Sequence, residues 1–156
     1  MKKWVLLSCL IVFGALICRA QARGIAGEWS GIWTSPDGYV YSAEITLNTG
    51  PGCTTCSASG DESIQGRIVW TLRRVGTKAT AGLAASVGLT GTEYVKGEMK
   101  GDGFFVLTGY QKDDPHNIIG LDLYRLAQGD NGLVIGGITR NNGPWTGQLI
   151  ATRLQP

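Results

Sequence analysis

From Gly24 onward apolar and polar residues alternate along most of the chain, in eight stretches closed by glycine-rich turns. Tyr39, Tyr41, Ala43, Ile45 and Leu47 share one face of an extended segment, with Val40, Ser42, Glu44 and Thr46 on the other. Ile64, Gly66, Ile68, Trp70 and Leu72 oppose Gln65, Arg67, Thr71 and Arg73 in the same way. Gly27, Trp29, Gly31 and Trp33 line one side of the first stretch; Trp145, Gly147, Leu149 and Ala151 line one side of the last. A period of two places one face in a core and the other in water, which predicts β-strands. Between the stretches lie Pro36-Asp37-Gly38, Asn48 to Gly52, Gly101-Asp102-Gly103, Asp130-Asn131-Gly132 and Asn142-Gly143. Such turns favour hairpins because Gly, Asn and Asp tolerate positive φ. Eight strands joined in meander order predict an all-β fold, an eight-stranded antiparallel up-and-down barrel.

Two segments depart from the rhythm. Residues 77–90 are rich in Ala and Gly and join the third and fourth strands without alternation. Leu83 and Val87 stand four apart, so the segment reads either as a short helix packed over a barrel end or as a loop. Ile118 to Leu121 and Leu133 to Ile135, in the fifth to seventh strands, are apolar on both faces; either a loop or another subunit covers the outside there, or the stretch is simply very hydrophobic. Glycines recur in mid-strand, at Gly31, Gly66, Gly97, Gly109, Gly137 and Gly147. In a small barrel they permit tight coiling and make room for large rings inside.

The N-terminus changes the charge picture. Lys2 and Lys3, the apolar run Trp4 to Cys18 and Ala20-Gln21-Ala22 have the layout of a secretory signal peptide over residues 1–22. The apolar run is short for a membrane anchor, which needs about 20 residues. Cys9 and Cys18 are poorly placed for lipidation. Residues 23–156 then form one domain with a single core, exported to the periplasm or beyond, without a membrane span. Of the fourteen basic side chains, Lys2, Lys3 and Arg19 leave with the leader, and eleven remain against twelve acidic ones, a net charge of −1. Nucleic acid is not an expected partner of such a chain.

The two ends of the mature segment carry a further pattern. Gly27-Glu28-Trp29 opens the first strand and Thr152-Arg153-Leu154 closes the last. This pair resembles the calycin superfamily of lipocalins, fatty-acid-binding proteins and avidins, and small secreted bacterial barrels. The resemblance implies a structural role for Gly27, Trp29 and Arg153, with the arginine lying across the tryptophan to shut one barrel end. It implies a fold and no activity.

Candidate chemistry is sparse. Trp33, Trp70 and Trp145, with Tyr39, Tyr41, Tyr110 and Tyr124, either fill the interior or line a cavity for a planar or apolar guest. Asp122 is a carboxylate in an apolar strand. If inward, it must be hydrogen-bonded and would anchor a polar head group; if outward, it is a solvated charge. Cys53 and Cys56, in a Gly/Pro/Ser/Thr loop of an exported protein, read first as a disulfide, with redox and zinc roles disfavoured by the missing helix and missing ligands. Asp113-Asp114-Pro115-His116-Asn117 has the makings of a cation or acid–base site, but its residues are ordinary turn formers. No nucleophile, zinc or calcium motif accompanies it, so neither a cofactor nor a metal is expected, and enzyme chemistry ranks last. The leading expectation is binding of a small apolar or aromatic molecule by Trp33, Tyr41, Trp70, Tyr110, Asp122, Tyr124 and Trp145, with 77–90 as a lid. The alternative is a protein partner gripped by the hairpin loops, as in an inhibitor barrel.

Overall fold

The computed structural model describes residues 24–50, 63–101, 103–143 and 145–155. Residues 1–22, expected to be a signal peptide, and Cys53 and Cys56, expected to form a disulfide, lie outside the described residues. The elements run β1 (Gly27–Thr34), β2 (Val40–Thr49), β3 (Ser63–Arg74), α1 (Ala81–Ala84), β4 (Thr90–Gly101), β5 (Phe104–Asp113), β6 (Asp122–Gln128), β7 (Val134–Asn141) and β8 (Thr146–Arg153). Each strand pairs antiparallel with the next, and β1 also pairs with β8, so the sheet closes into an eight-stranded barrel. The closing register sets Trp29 opposite Arg153, Gly31 opposite Ala151 and Trp33 opposite Leu149.

The inward faces are those the alternation predicts in β1, β2, β3 and β8. The mid-strand glycines are inward too, and their missing side chains let strands coil closely. A Cβ at Gly66, Gly97 or Gly137 would overlap the carbonyl oxygen of Thr46, Val106 or Arg125 on the neighbouring strand. One half of the barrel is filled. Trp29, Leu47, Ile64, Phe105, Leu126 and Ile135 are all buried there, and Ile25 tucks in beneath them.

The segment between β3 and β4 is a single helical turn. The Thr80 hydroxyl accepts the Leu83 N–H at 3.3 Å and caps it. Leu83 packs against the core, whereas Val87 is 47% exposed, so the expected pairing of these two on one packed face does not form. The helix ends before Val87, and the alanines and glycines around it supply little apolar surface to hold a second turn.

The expected apolar strand over Ile118 to Leu121 is a loop instead, and β6 starts at Asp122. The Asp114 carboxylate takes the N–H groups of Ile118 and Ile119, each at 3.0 Å, which withdraws them from any ladder. The most exposed apolar side chains lie elsewhere, with Ile138 on β7, Ile150 on β8 and Ile32 on β1 each more than half exposed.

Candidate functional site

The barrel ends differ. At the end where β1 begins and β8 finishes, Arg153 lies over the Trp29 ring with its guanidinium carbon 4.2 Å from the ring centroid. Its Nη1 donates to the Ala26 carbonyl at 2.6 Å and its Nε to the Gly132 carbonyl at 3.1 Å, while Nη2 reaches the Gly24 carbonyl. Trp29 Nε1 donates to the Ile25 carbonyl at 3.0 Å, so the buried indole keeps its hydrogen bond. Gly27 is required for this arrangement. Its φ is +136°, and a Cβ there would stand 2.7 Å from Arg153 Nη1. Arg153 thus lies across the Trp29 ring, in space that Gly27 leaves open.

At the opposite end the interior is hollow. A cavity of about 320 Å³ is walled by Trp33 of β1, Tyr41 of β2, Trp70 of β3 and Trp145 before β8. The loop before β6 roofs it with Asn117, Ile118, Ile119 and Gly120, and Leu83 of α1 reaches its edge. Asn141 of β7 completes the wall, and two carboxyl groups, Glu93 of β4 and Asp122 of β6, face in. The rings stack edge to face: Trp33 and Tyr41 have centroids 5.6 Å apart at 76°, and Tyr41 and Trp70 are 6.2 Å apart at 83°. Trp145 is propped by Tyr39, 4.4 Å away. Two glycines make the site possible. The space a Cβ would take at Gly147 is occupied by the Trp33 indole, and at Gly109 by the Glu93 carboxylate.

Glu93 is 1% exposed and held by three donors. Trp70 Nε1 donates to its Oε2 at 3.2 Å, the Tyr124 hydroxyl donates to the same oxygen, and the Asp122 N–H donates to Oε1 at 2.7 Å. Burial pushes the Glu93 carboxyl up to about 7, with the Tyr124, Asp122 N–H and Trp70 hydrogen bonds pulling the other way. Burial also raises Asp122, against a hydrogen bond from the Thr139 hydroxyl. That hydroxyl accepts Trp33 Nε1 at 2.6 Å, so an indole, a hydroxyl and a carboxylate form one chain. Tyr124 is raised well above its ordinary value by burial and by the neighbouring Glu93, and so stays a neutral donor.

The roof is pinned from two sides. Tyr41 donates its hydroxyl to the Ile118 carbonyl at 2.6 Å, and burial, then the nearby Tyr39, Asp114 and Asp122, push its pKa up to about 12. Asp114 grips the N–H groups of Ile118 and Ile119 and pairs with Lys112 at 3.1 Å. Burial works to raise its carboxyl, but those two N–H groups and the Lys112 ammonium outweigh it and leave Asp114 below the usual range. The Asp113 to Asn117 cluster is thus a turn whose acid is engaged with backbone, and His116 is exposed on it. Among the described residues no group of His, Cys, Asp and Glu is arranged to hold a metal ion.

Of the residues singled out from the sequence, Trp33, Tyr41, Trp70, Asp122 and Trp145 meet at the cavity. Tyr124 is fully buried behind it, touching Glu93 rather than the cavity itself. Tyr110 belongs elsewhere: it is 42% exposed on the outer face, 5.4 Å from Lys96, because Phe105, Leu107 and Gly109 take the inward phase of β5. Sequence reasoning missed Glu93 and Thr139. The signal was the glycine phase, since Glu93 stands in step with inward Gly91 and Gly97, and Thr139 in step with Gly137.

No protein-family model matches the chain, and no curated protein matches it. Among solved structures the chain is similar to a de novo designed fluorescence-activating β-barrel, with a TM-score of 0.54 and 11% sequence identity over 85% of this chain and 96% of the designed one. At that identity the likeness is one of fold: a closed eight-stranded antiparallel barrel shared by two unrelated sequences.

Proposed function

We propose that the protein is an exported carrier or receptor that binds one small, largely apolar or aromatic molecule in the open half of the barrel. The observation that carries the reading is the cavity of about 320 Å³ walled by Trp33, Tyr41, Trp70 and Trp145. Ligand pockets occupy ~300–1,000 Å³ and combine aromatic walls with a few fixed polar groups, often at the mouth of a β-barrel. The opposite end is filled and bolted by Arg153, so the guest enters past α1 and the loop roofing the cavity. The signal-peptide layout of residues 1–22 supports export in this reading.

Native mass spectrometry on gently purified protein tests the reading. A reproducible added mass that is lost on denaturation supports it and identifies the ligand class. A bare mass, with no change in tryptophan emission across a panel of small aromatic compounds, overturns it.

A second reading, a protein-binding surface, finds its support on strands rather than on the hairpin loops. Ile32 and Ile150 pair directly across β1 and β8, and are 57% and 60% exposed. Substituting Ile150→Lys and measuring mass in solution by light scattering tests it, with loss of an assembled species the supporting result.

A further inference from the structure

Aromatic walls explain affinity for a flat apolar guest, but not two carboxyl groups on the inside of them. Glu93 and Asp122 are surrounded by donors that carry no charge: an indole N–H, a peptide N–H and two hydroxyls. An indole or peptide N–H can only donate, so the lone pairs of Glu93 are what its surroundings require. No lysine, arginine or histidine lines the cavity. The ion pairs among the described residues, Lys78 with Asp37, Lys100 with Glu98 and Lys112 with Asp114, leave both acids out. Two neighbouring carboxyl groups, Glu93 buried and Asp122 half-buried, are costly to ionise without a counter-charge.

A guest decides how that cost is met. A hydrocarbon would seal both acids against apolar surface, and an anion would meet like charge. A cation supplies the missing partner, and ring faces close by attract it further. Gly109 shows that the position of the acid is built in, since only a residue without Cβ leaves room for the Glu93 carboxylate at that point.

We propose that the ligand is an aromatic or aralkyl amine, its protonated nitrogen held by Asp122 and Glu93 and its ring packed among Trp33, Tyr41, Trp70 and Trp145. The inference rests on the cavity being a ligand site. The tyrosines Tyr41 and Tyr124 orient the site as neutral donors, and Asn141 offers the nitrogen or a ring substituent a further polar contact.

The test is a charge series on one shape. The protein, purified from expression of the full chain, is titrated by calorimetry at pH 7.5 with 2-phenylethylamine, 2-phenylethanol and phenylacetate. The amine is expected to bind at least tenfold more tightly than either of the others, and the double substitution Glu93→Gln with Asp122→Asn to abolish that advantage. If the double variant does not fold, the order of the three compounds on the unaltered protein decides alone. Equal or tighter binding of the alcohol or of phenylacetate overturns the inference and leaves the cavity reading standing. Binding of none of the three overturns the inference, and native mass spectrometry with the wider aromatic panel then decides the cavity reading.

Discussion

The two ends of this barrel are built from the same materials and come out opposite. Each has an indole on β1, a strand glycine beside it and charged groups drawn inside. At the closed end the space left by Gly27 is taken by Arg153, whose charge is spent on the carbonyls of Gly24, Ala26 and Gly132 and on the Trp29 ring. At the open end the spaces left by Gly147 and Gly109 are taken by Trp33 and Glu93, and the charge there meets only neutral donors. A charge answered by backbone makes a plug. A carboxyl group left without a counter-ion beside a void makes a candidate site.

The largest test of this contrast compares two tryptophans. Trp29 is fully buried in the filled half, so Trp29→Ala is expected to cost about 3–5 kcal/mol of stability in urea unfolding, the range for deleting a buried large ring. Trp145 is half-buried at the cavity wall, and Trp145→Ala is expected to cost less than about 2 kcal/mol while weakening ligand binding. Similar stability losses at both positions would break the distinction between plug and site.

Next in size is pH. The Glu93 carboxyl is raised from 4.5 to about 7 by burial, so the folded state holds its proton more firmly than the unfolded chain does. Stability from such a group is present in full below the unfolded value and is lost as pH rises through the folded one. Without ligand, the protein is therefore expected to lose about 2–3 kcal/mol between pH 5 and pH 8, at 1.36 kcal/mol per pK unit. Asp122, also raised by burial, acts in the same direction. Asp114 is lowered, so its contribution is lost only at more acid pH, outside this window. Denaturant unfolding at both pH values measures the slope, and Glu93→Gln should remove most of it. A bound amine should flatten it too, because a cation beside the carboxylate draws its pKa back down.

Much of this was legible in the sequence, and unevenly. Period-two alternation with turn glycines gave the strands, their order and the inward face of β1, β2, β3 and β8, because half-buried strands cannot slip by one residue without exposing their core face. Trp29 and Arg153 fall opposite one another because they sit on the two strands, β1 and β8, whose pairing closes the barrel. The site was harder. In β4 both faces carry polar residues, and Glu93 looks as solvated as Glu98 unless the glycines fix the phase. Tyr110 looked like Tyr124 for the converse reason, as the strand bearing it has a glycine directly before the tyrosine and its phase turns on which of the two points inward. Asp122 stands out in the sequence as a carboxylate in an apolar strand, but its inward direction comes from the structure, where it shares the face of buried Tyr124 and Leu126 and lines the cavity. The loop over Ile118 to Leu121 was mistaken for strand because its apolar residues cover a cavity, and alternation carries no signal for that.

That loop supports the smallest and most local prediction. Asp114 holds the cavity roof by accepting from Ile118 and Ile119, and Asp114→Asn keeps one acceptor oxygen while losing the second and the Lys112 pair. The expected cost is about 1 kcal/mol, the scale of one net hydrogen bond, and it falls on local opening rather than on global unfolding. Hydrogen exchange should therefore quicken about fivefold at the Ile118 and Ile119 amides and stay unchanged at the Trp29 indole, which belongs to the plug. If the plug quickens in step with the roof, the two ends unfold as one unit and the roof is no independent gate. If the roof alone quickens, ligand release should speed up with it, since Ile118 also carries the carbonyl that ties the roof to Tyr41.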